Sequence, residues 1–482
     1  MLSFKSNIKS IVLKFCILLA SVFIDEILRS ISINVADSGG ADFWSLPRLI
    51  SPFYHISFWL TLDLIWISFI GGNIIKKIIS RPIISSFYRC LVGGTFIVSG
   101  IIKGNDSMGF SYKLEEYFQD GALAYRFHEI FGWDSFSLEW LVEYALFLAI
   151  FISIFEIVLG FCLIVKAEIK TTLFFVFSML IFFTFLTLHT ATCVPGETVS
   201  GIPIQCVDDC GCFGDAMKDS FGRSLFPWES FQKDILLIIF SIPIFVLDRK
   251  KGINSLFQDI PSVIFSVIFV FIWSFIFSWY FSLLFLGLLF FIYFLIKRYY
   301  SHSILIIFST TLISCFFVSY TFNNLPLKDY RPYKEGFNFK EKFNEDFDEI
   351  EINESTVFTI NDGFADNNVT KAFIDFPSIL VSTSYNFEKT NKSSFKEIKK
   401  LFHDVKDLEE GVCVMQISSW QHMDSIKSLI GENEIYYYGD NDIGKIIIRS
   451  DPGLLLFKDG VLIKKWHSNN VPNIKEVQKL LK

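Results

Sequence analysis

The sequence contains a compact cluster of cysteines in a polar segment between two apolar runs. Four of the nine cysteines lie within residues 193–212, at Cys193, Cys206, Cys210 and Cys212. Such a cluster suits two structural disulfides, a zinc site of four thiolates, or a redox-active dithiol. The spacing Cys-x3-Cys-x-Cys over residues 206–212 departs from the usual pairs of zinc ligands, so we predict no metal.

Cys210 and Cys212 are the candidate redox pair, because only Gly211 separates them. A disulfide between them would close a very small ring whose geometry departs from the relaxed one, which makes the bond comparatively easy to reduce. Cys193 and Cys206 would then form a second pair that either relays electrons or only staples the loop.

Acidic neighbours complicate this hypothesis. Asp208, Asp209 and Asp215 surround the candidate pair in the sequence. Nearby carboxylates raise the pKa of a thiol and slow its attack, although these three also fit solvated loop residues. The remaining five cysteines lie singly within apolar runs and are predicted to be buried side chains: Cys16, Cys90, Cys162, Cys315 and Cys413.

Three further polar residues lie within or beside apolar runs. Glu156 interrupts a long apolar run, and an ionisable group at membrane depth is costly unless it faces a partner or a cavity. Lys103 and His189 fall near the outer boundary, where they could pair with Glu156 or with a bound head group. The alternatives are that the Lys103 ammonium extends to the membrane surface and that His189 has its hydrogen bonds satisfied at a helix end.

The elements that must position these residues are membrane helices. The chain is 52% apolar and only 19% charged, with a net charge of −7 and no basic face, which excludes a nucleic-acid role. Eight apolar runs approach the length that crosses a hydrocarbon core of about 30 Å. They lie at 8–24, 54–72, 88–102, 139–165, 171–190, 232–247, 262–296 and 303–320.

The run 262–296 is too long for one crossing, so we split it near residues 278–282 and predict nine helices. With nine helices every basic cluster falls on the cytoplasmic side, as the positive-inside rule requires. The N-terminus is then cytoplasmic, and the cysteine loop and everything after Tyr320 share the outer face.

The tail after Tyr320 is charged, and short β-like runs alternate there with amphipathic stretches, which predicts a soluble α/β domain. The predicted strands are 357–360, 378–383, 412–417, 435–438, 453–457 and 461–466. The predicted helices are 393–404, 421–430, 442–449 and 473–481. Lys458-Asp459-Gly460 predicts a tight hairpin turn between the last two strands.

Residues 88–250 resemble the DoxX-like membrane proteins, in particular the branch with the methylamine-utilisation MauE proteins. The motifs are Ser99-Gly-Ile-Ile-Lys103, Tyr112-Lys113-Leu-Glu-Glu-Tyr117-Phe118 and Asp209-Cys-Gly-Cys-Phe-Gly-Asp215. The resemblance implies a four-helix unit in a bacterial inner membrane that faces the periplasm. It also implies thiol redox or disulfide formation in exported proteins, or quinone-linked electron transfer.

A bacteroidete-type subgroup is similar beyond this unit, through residues 325–334 and a thioredoxin-like tail. Pro452 would occupy the cis-proline position of a thioredoxin. The Cys-x-x-Cys motif is absent, because Tyr385-Asn-Phe-Glu388 follows the corresponding strand. The tail therefore cannot form an internal disulfide and is expected to dock a partner.

The expected organisation has four parts. Residues 1–80 form a transmembrane hairpin, 81–250 the DoxX/MauE-like unit with its outer loop 193–212, 251–320 three further helices, and 321–482 the thioredoxin-like domain.

The favoured hypothesis is a thiol-disulfide oxidoreductase that passes electrons between an exported protein and a membrane acceptor such as a quinone. Cys210, Cys212, Cys193 and Cys206 would carry the chemistry, and Glu156, Lys103 and His189 would bind the acceptor. The rival hypothesis is a non-catalytic assembly or maturation factor with a disulfide-bonded loop and a partner-docking tail. Transport finds little support, since the intramembrane charges show no paired repeat.

Overall fold

The computed structural model forms two compact units, Met1–Val318 and Ser319–Lys482. It describes residues 82–133, 135–196, 198–199, 202–207, 211, 213, 215–221, 224–247, 256–300, 302–344, 349–353, 356–362, 367–388, 390–418, 420–432, 434–439 and 441–482. The predicted helices at 8–24 and 54–72, the hairpin 1–80 that contains them, and the side chains of Cys210 and Cys212 lie outside these residues.

The first unit is helical. Its helices are α1 (Pro82–Asn105), α2 (Ser107–Phe118), α3 (Ala124–Phe131), α4 (Ala145–Val165), α5 (Ile169–Thr192), α6 (Asp215–Phe221), α7 (Pro227–Leu247), α8 (Leu256–Ile276), α9 (Phe281–Tyr299) and α10 (Ser303–Asn323). A hairpin of two short strands, β1 (Thr198–Val199) and β2 (Ile202–Pro203), interrupts the cysteine loop. The last helix, α10, runs from the first unit into the second.

Five helices in the described part of the chain are long and apolar enough to cross a membrane. They are Ile84–Asn105, Glu139–Val165, Ile169–Thr192, Phe281–Tyr299 and Ser303–Asn323. Ile260–Ile276 is a shorter apolar helix, and the chain breaks between α8 and α9 where the sequence predicts a break. The protein is therefore helical and membrane-associated, and the total of nine crossings stays a prediction.

Helix α1 lies at the centre of the first unit, in contact with α4, α7 and α8. Glycines allow α1 and α4 to approach closely, as small residues do between membrane helices. A Cβ atom on Gly160 would lie 2.6 Å from the carbonyl oxygen of Gly93, and one on Gly100 would lie 2.7 Å from that of Ser153. No side chain of any size fits between the two backbones at these points.

Arg89, near the start of α1, holds α1 against the end of α4. Its side chain is 2% exposed, and its guanidinium donates to the carbonyl oxygen of Ile164 at 2.6 Å. It also donates to the hydroxyls of Ser85 and Ser86 on α1 and of Ser262 on α8. A cation at the end of α4 satisfies carbonyls that the helix leaves without partners and complements the helix dipole.

The described part of the second unit contains two sheets and five α-helices. Its strands are β3 (Phe343–Asn344), β4 (Glu349–Asn353), β5 (Thr356–Phe358), β6 (Ile360–Asn361), β7 (Ser378–Ser384), β8 (Cys413–Ser418), β9 (Ile435–Gly439), β10 (Gly453–Lys458) and β11 (Val461–His467). Its helices are α11 (Thr370–Asp375), α12 (Ser394–Lys406), α13 (Met423–Ile430), α14 (Asn441–Ile447) and α15 (Ile474–Leu481), of which α11 is a short turn of six residues. The main sheet has the order β11-β10-β7-β8-β9-β6, in which β7, β8 and β9 are parallel.

The predicted strands and helices of the tail are all present, with ends that shift by a few residues. The predicted strand 357–360 is divided between β5 and β6, which belong to different sheets. The sequence did not predict β3, β4 or α11. At the predicted hairpin, Lys458 pairs with Val461, and Asp459 and Gly460 both have positive φ angles, of 51° and 78°. That conformation is the one an Asp-Gly pair favours in a two-residue turn.

A buried ion cluster fastens the segment after α10 to this sheet. Both carboxylate oxygens of Asp329 accept from the Arg331 guanidinium, at 2.7 and 2.9 Å, and Oδ2 also accepts from Lys465 Nζ at 2.9 Å. Lys465 lies on β11, and its side chain is 2% exposed. Burial acts to raise the pKa of Asp329, but the charges of Arg331 and Lys465 hold this pKa well below its usual value. The carboxylate is thus stabilised by folding.

Substitution of Gly160 by Ala is expected to lower the free energy of unfolding by about 1–3 kcal/mol, because the added methyl group would overlap the backbone of α1. The matched control is Gly287→Ala on α9, where a Cβ atom meets nothing within 4 Å. Thermal unfolding in detergent should show a clear loss for the first variant and none for the second. Equal stability of the two variants would contradict the close packing of α1 and α4.

Asp329→Asn should destabilise the tail by about 3 kcal/mol, because it leaves the Lys465 ammonium buried without its counter-charge. Hydrogen exchange of the β10 and β11 amides in the full-length protein measures this loss. The advantage of the wild type should be complete between about pH 4, the ordinary pKa of Asp, and about pH 7, to which burial lowers the pKa of Lys465; it should shrink at lower pH as Asp329 becomes protonated and at higher pH as Lys465 loses its charge. Asp442→Asn, which removes an exposed pair with Lys445, should change exchange little.

Candidate functional site

The cysteine loop is closed by a disulfide between Cys193 and Cys206, with an S–S distance of 2.02 Å. Cys193 directly follows α5, and the β1–β2 hairpin lies between the two cysteines. The sequence left the pairing of the four loop cysteines open, and the structure joins Cys193 to Cys206. It also removes two of the four thiolates that a zinc site would need.

The residues beside Cys210 and Cys212 show where the candidate pair is anchored. A Cβ atom on Gly211 would lie 3.3 Å from the Lys113 side chain and 3.5 Å from the Phe110 ring, both on α2. The ring of Phe213 lies 4.9 Å from Trp273 and 5.4 Å from Phe277, both at the end of α8. The loop backbone therefore runs between α2 and α8.

The structure brings Lys103 of α1 and Glu156 of α4 together. Lys103 Nζ lies 2.6 Å from Glu156 Oε1, and the two side chains are 2% and 4% exposed. The same ammonium donates to Ser99 Oγ at 3.0 Å. Within the part of the chain that the structure describes, Glu156 Oε2 has no hydrogen-bond partner. The expected pairing of Lys103 with Glu156 is thus present, and Lys103 does not snorkel.

Aromatic rings enclose the Lys103 ammonium. Its Nζ atom lies 4.2 Å from the centroid of the Phe183 ring and 5.2 Å from that of Phe110. A cation over a ring face gains about 1 kcal/mol or more when it is desolvated. Phe110 therefore lies between the Lys103 ammonium and the position that a side chain on Gly211 would occupy.

A second buried ion pair, Lys233–Asp234, lies beside the first. Lys233 Nζ is 3.0 Å from Asp234 Oδ1, and the side chains are 8% and 2% exposed. Asp234 Oδ2 accepts from Thr187 on α5 at 3.2 Å, and Asp234 also interacts electrostatically with Lys103. The Lys233 ammonium stands 5.2 Å from the Phe213 ring centroid in the cysteine loop.

Sequence reasoning did not identify Lys233 and Asp234. They fall at the start of the apolar run 232–247, where charges usually mark the water-facing end of a helix. The helix begins earlier, at Pro227, so both residues lie more than one turn inside it. Pro227 is the sequence signal that could have placed the predicted start of this helix earlier, because proline is common at the first position of a helix.

His189 is buried near the end of α5, one turn before Cys193, and is 2% exposed. Its ring packs against Tyr117 and Tyr125, with centroid distances of 6.0 and 5.4 Å. Neither ring nitrogen has a hydrogen-bond partner among the described residues. The structure therefore does not pair His189 directly with Glu156, and it also does not show the satisfied helix-end histidine that was the alternative.

In the tail, residues just after β7 and just before β10 bind one another. Asp451 Oδ2 accepts from the backbone amide of Asn386 at 2.6 Å, and Thr390 Oγ1 donates to the carbonyl oxygen of Asn386 at 2.6 Å. The Asp451–Pro452 peptide bond is cis. Despite its hydrogen bonds, burial raises the pKa of Asp451. This site holds its loop in place without any sulfur chemistry.

Searches against protein-family models, curated proteins and solved structures find no match to this chain. What the site does must therefore be argued from its own residues.

The Lys103–Glu156 pair is expected to be strongly coupled. Lys103→Met and Glu156→Gln should each lower the free energy of unfolding by about 3–5 kcal/mol, since each leaves one buried charge without its partner. The double variant should cost much less than the sum of the two. Thermal or denaturant unfolding in detergent measures the cycle, and Glu129→Gln, in an exposed pair with Arg126, is the control with little effect. Additive losses would show that the two charges do not depend on each other.

Proposed function

We propose that this protein is a membrane thiol-redox component of the DoxX/MauE-like type. Cys210 and Cys212 exchange a disulfide with the thiols of an exported protein, and the helical unit delivers the electrons to a membrane acceptor. The observation that carries the proposal is the position of Phe110. A Cβ atom on Gly211, the residue between the two cysteines, would lie 3.5 Å from this ring, and the Lys103 ammonium lies 5.2 Å from the ring centroid.

The exchange balances as follows. A Cys210–Cys212 disulfide takes two electrons and two protons from a partner dithiol, which becomes a disulfide, and the loop becomes a dithiol. Reoxidation of the loop releases two electrons and two protons. A quinone is the candidate acceptor, since it takes up two electrons and two protons within the membrane.

Buried polar atoms among aromatic rings support an acceptor site at Glu156, Lys103 and His189. Glu156 Oε2 and both nitrogens of His189 have no hydrogen-bond partner in the described residues, and Phe110 and Phe183 flank Lys103. Small-molecule sites combine apolar walls with a few polar groups of this kind. Lys103 would donate a hydrogen bond to a carbonyl oxygen, and Glu156 would accept one from a hydroxyl group.

We propose that the tail is a thioredoxin-like domain that presents the partner and has no redox centre of its own. The order of strands and helices and the position of Tyr385–Glu388 after β7 support this assignment. Cys413, the single cysteine of the tail, lies on a strand. The cytoplasmic N-terminus and the periplasmic loop and tail follow from the charge rule.

The second candidate function is a non-catalytic assembly or maturation factor. The observation that favours it is the Cys193–Cys206 disulfide, which closes the loop around a small hairpin and so acts as a staple. In that case all four cysteines are structural, and the tail grips a subunit.

Thiol trapping in cells separates the two functions. In the redox function, Cys210 and Cys212 change from oxidised to reduced when respiratory quinone is removed, while Cys193 and Cys206 stay oxidised as a staple or change as a relay. Cys210→Ser should lower the rate of partner oxidation at least about tenfold. Cys315→Ser, at an exposed lone cysteine, should leave this rate unchanged.

The assembly function predicts the opposite pattern. All four loop cysteines would remain oxidised with and without quinone, and partner maturation would continue after Cys210→Ser. That result would remove the redox proposal. Alkylation of the loop from the outside of spheroplasts independently tests its sidedness.

A further inference from the structure

A stripe of exposed aromatic rings runs along α4 and the 3₁₀ helix, Glu139–Tyr144, that precedes it. Its members are Trp140, Tyr144, Phe147 and Phe151, which are 64%, 53%, 65% and 49% exposed. Steps of three and four residues place them on one face of the helix. Trp140 contacts Tyr144, and Phe147 contacts Phe151, each with ring centroids 6.4 Å apart. The stripe therefore begins with rings that carry a polar group and continues with purely apolar rings.

A second group of exposed apolar side chains lies on α3 and in the turn after it. Ile130, Phe131 and Trp133 are each more than half exposed, at 61%, 57% and 51%. The rings of Phe131 and Trp133 stack with centroids 5.0 Å apart. Phe127, on the same helix, lies 5.8 Å from Phe185 of α5. One ring thus fixes α3 to a membrane helix, while the others remain at the surface.

Both groups lie at the same end of the membrane helices. Only Lys166–Glu168 separates α4 from α5, so the start of α4 and the end of α5 are on the same side of the membrane. Arg126 on α3 donates to the hydroxyl of Thr192, the last residue of α5, at 2.5 Å. Cys193 follows directly. The exposed rings are therefore located where the apolar spans end and the cysteine loop begins.

The charge of this segment decides which lipids could hold it. Between Ala124 and Tyr144 the sequence has one arginine, no lysine and four acidic residues. The arginine, Arg126, pairs with Glu129 at 3.0 Å. Clusters of lysine and arginine are what draw a protein to anionic head groups. Attraction to the membrane must therefore come from the rings themselves, and a bilayer of zwitterionic lipid is sufficient.

We propose that residues 124–133 and 135–144 form an interfacial anchor, which inserts into the boundary between lipid and water at the outer ends of α4 and α5. Tryptophan and tyrosine suit this boundary because each has an apolar body and a polar tip. Trp133 and Trp140 lie at the level of the head groups, and Phe147 and Phe151 lie below them in the hydrocarbon. The continuity of the stripe from the boundary into a membrane span favours lipid as its partner.

The anchor has a consequence for the cysteine loop. Because Arg126 ties α3 to Thr192, the anchor holds the beginning of the loop at the membrane surface. A protein that reacts with the loop must then approach along the bilayer. This inference goes beyond the proposed function, since the anchor would be present whether or not the cysteines turn over.

Fluorescence quenching by brominated phosphatidylcholine tests the anchor on the full-length protein in lipid nanodiscs. Bromine near the head-group end of the acyl chain quenches a shallow tryptophan, and bromine near the chain end quenches a deep one. The chain has ten tryptophans, so one signal is obtained as the difference between the wild type and a variant. The signals removed by Trp133→Phe and by Trp140→Phe should each fall by roughly half or more with the shallow quencher, and clearly less with the deep one.

Two matched variants calibrate this result. Phe151→Trp adds a tryptophan eleven residues after Trp140, about 16 Å further along the helix, so its added signal should be quenched more strongly by the deep quencher. Trp466→Phe removes a buried tryptophan of the tail, whose indole nitrogen donates to Glu476. The signal that it removes should change little with either quencher.

Two results would overturn the proposal. If acrylamide in the water quenches the Trp133 and Trp140 signals and neither bromolipid does, the rings face water. If none of the three quenchers reaches them, another protein or a second copy of this chain covers the surface. Should a Trp→Phe variant not fold, Phe131→Trp gives the same test, because it keeps every native tryptophan and adds one at an exposed position. Thiol trapping of the loop is read separately, so loss of the redox function would leave this inference intact.

Discussion

The burial of charge between α1 and α4 is the constraint on which the rest of the helical unit depends. Lys103 and Glu156 satisfy each other only if the two helices are close, and glycines bring them close. A Cβ atom on Gly100 would lie 3.0 Å from the Cβ atom of Glu156, so the glycine stands beside the carboxylate-bearing residue. Close packing and ion pairing therefore support one another: without the glycines the pair would be too far apart, and without the pair the glutamate would be too costly to bury.

The same constraint explains how the cysteine loop is placed. Helices α5 and α7 flank the loop in the sequence, and they contribute Thr187 and Asp234, which hydrogen-bond to each other. The residues between and after the two candidate redox cysteines, Gly211 and Phe213, rest on side chains of α2 and α8.

The tail uses buried charge for a different purpose. Asp329 and Arg331 hold the segment after α10 onto β11, because Asp329 also binds Lys465, which lies 136 residues further along the chain. Around Asp451, a hydrogen bond joins the loop after β7 to the segment before β10. Both features fit a rigid platform better than a reactive domain, in agreement with the absence of a Cys-x-x-Cys motif.

Much of the secondary structure could be predicted from the sequence, because helices, strands and turns depend on local patterns of residues. Period-two and period-3.6 apolar patterns located the strands and helices of the tail, and an Asp-Gly pair located its hairpin. Long apolar runs located the membrane helices, and a charge within such a run marked Glu156 as costly. Of the elements missed in the tail, β3 with two residues and α11 with six are too short to show a period, whereas β4, Glu349-Ile-Glu-Ile-Asn353, does alternate and was overlooked. Their positions are set by what they pack against.

The sequence by itself determined that the chain is a membrane protein with a four-cysteine loop, a costly glutamate and an α/β tail. Only the tertiary structure decided which groups meet. It paired Cys193 with Cys206, gave Glu156 its partner across fifty-three residues, and added Lys233 and Asp234 to the site. The reason is physical: periodicity and composition report the environment of each residue, whereas a pairwise contact depends on how closely two helices approach and how they are rotated.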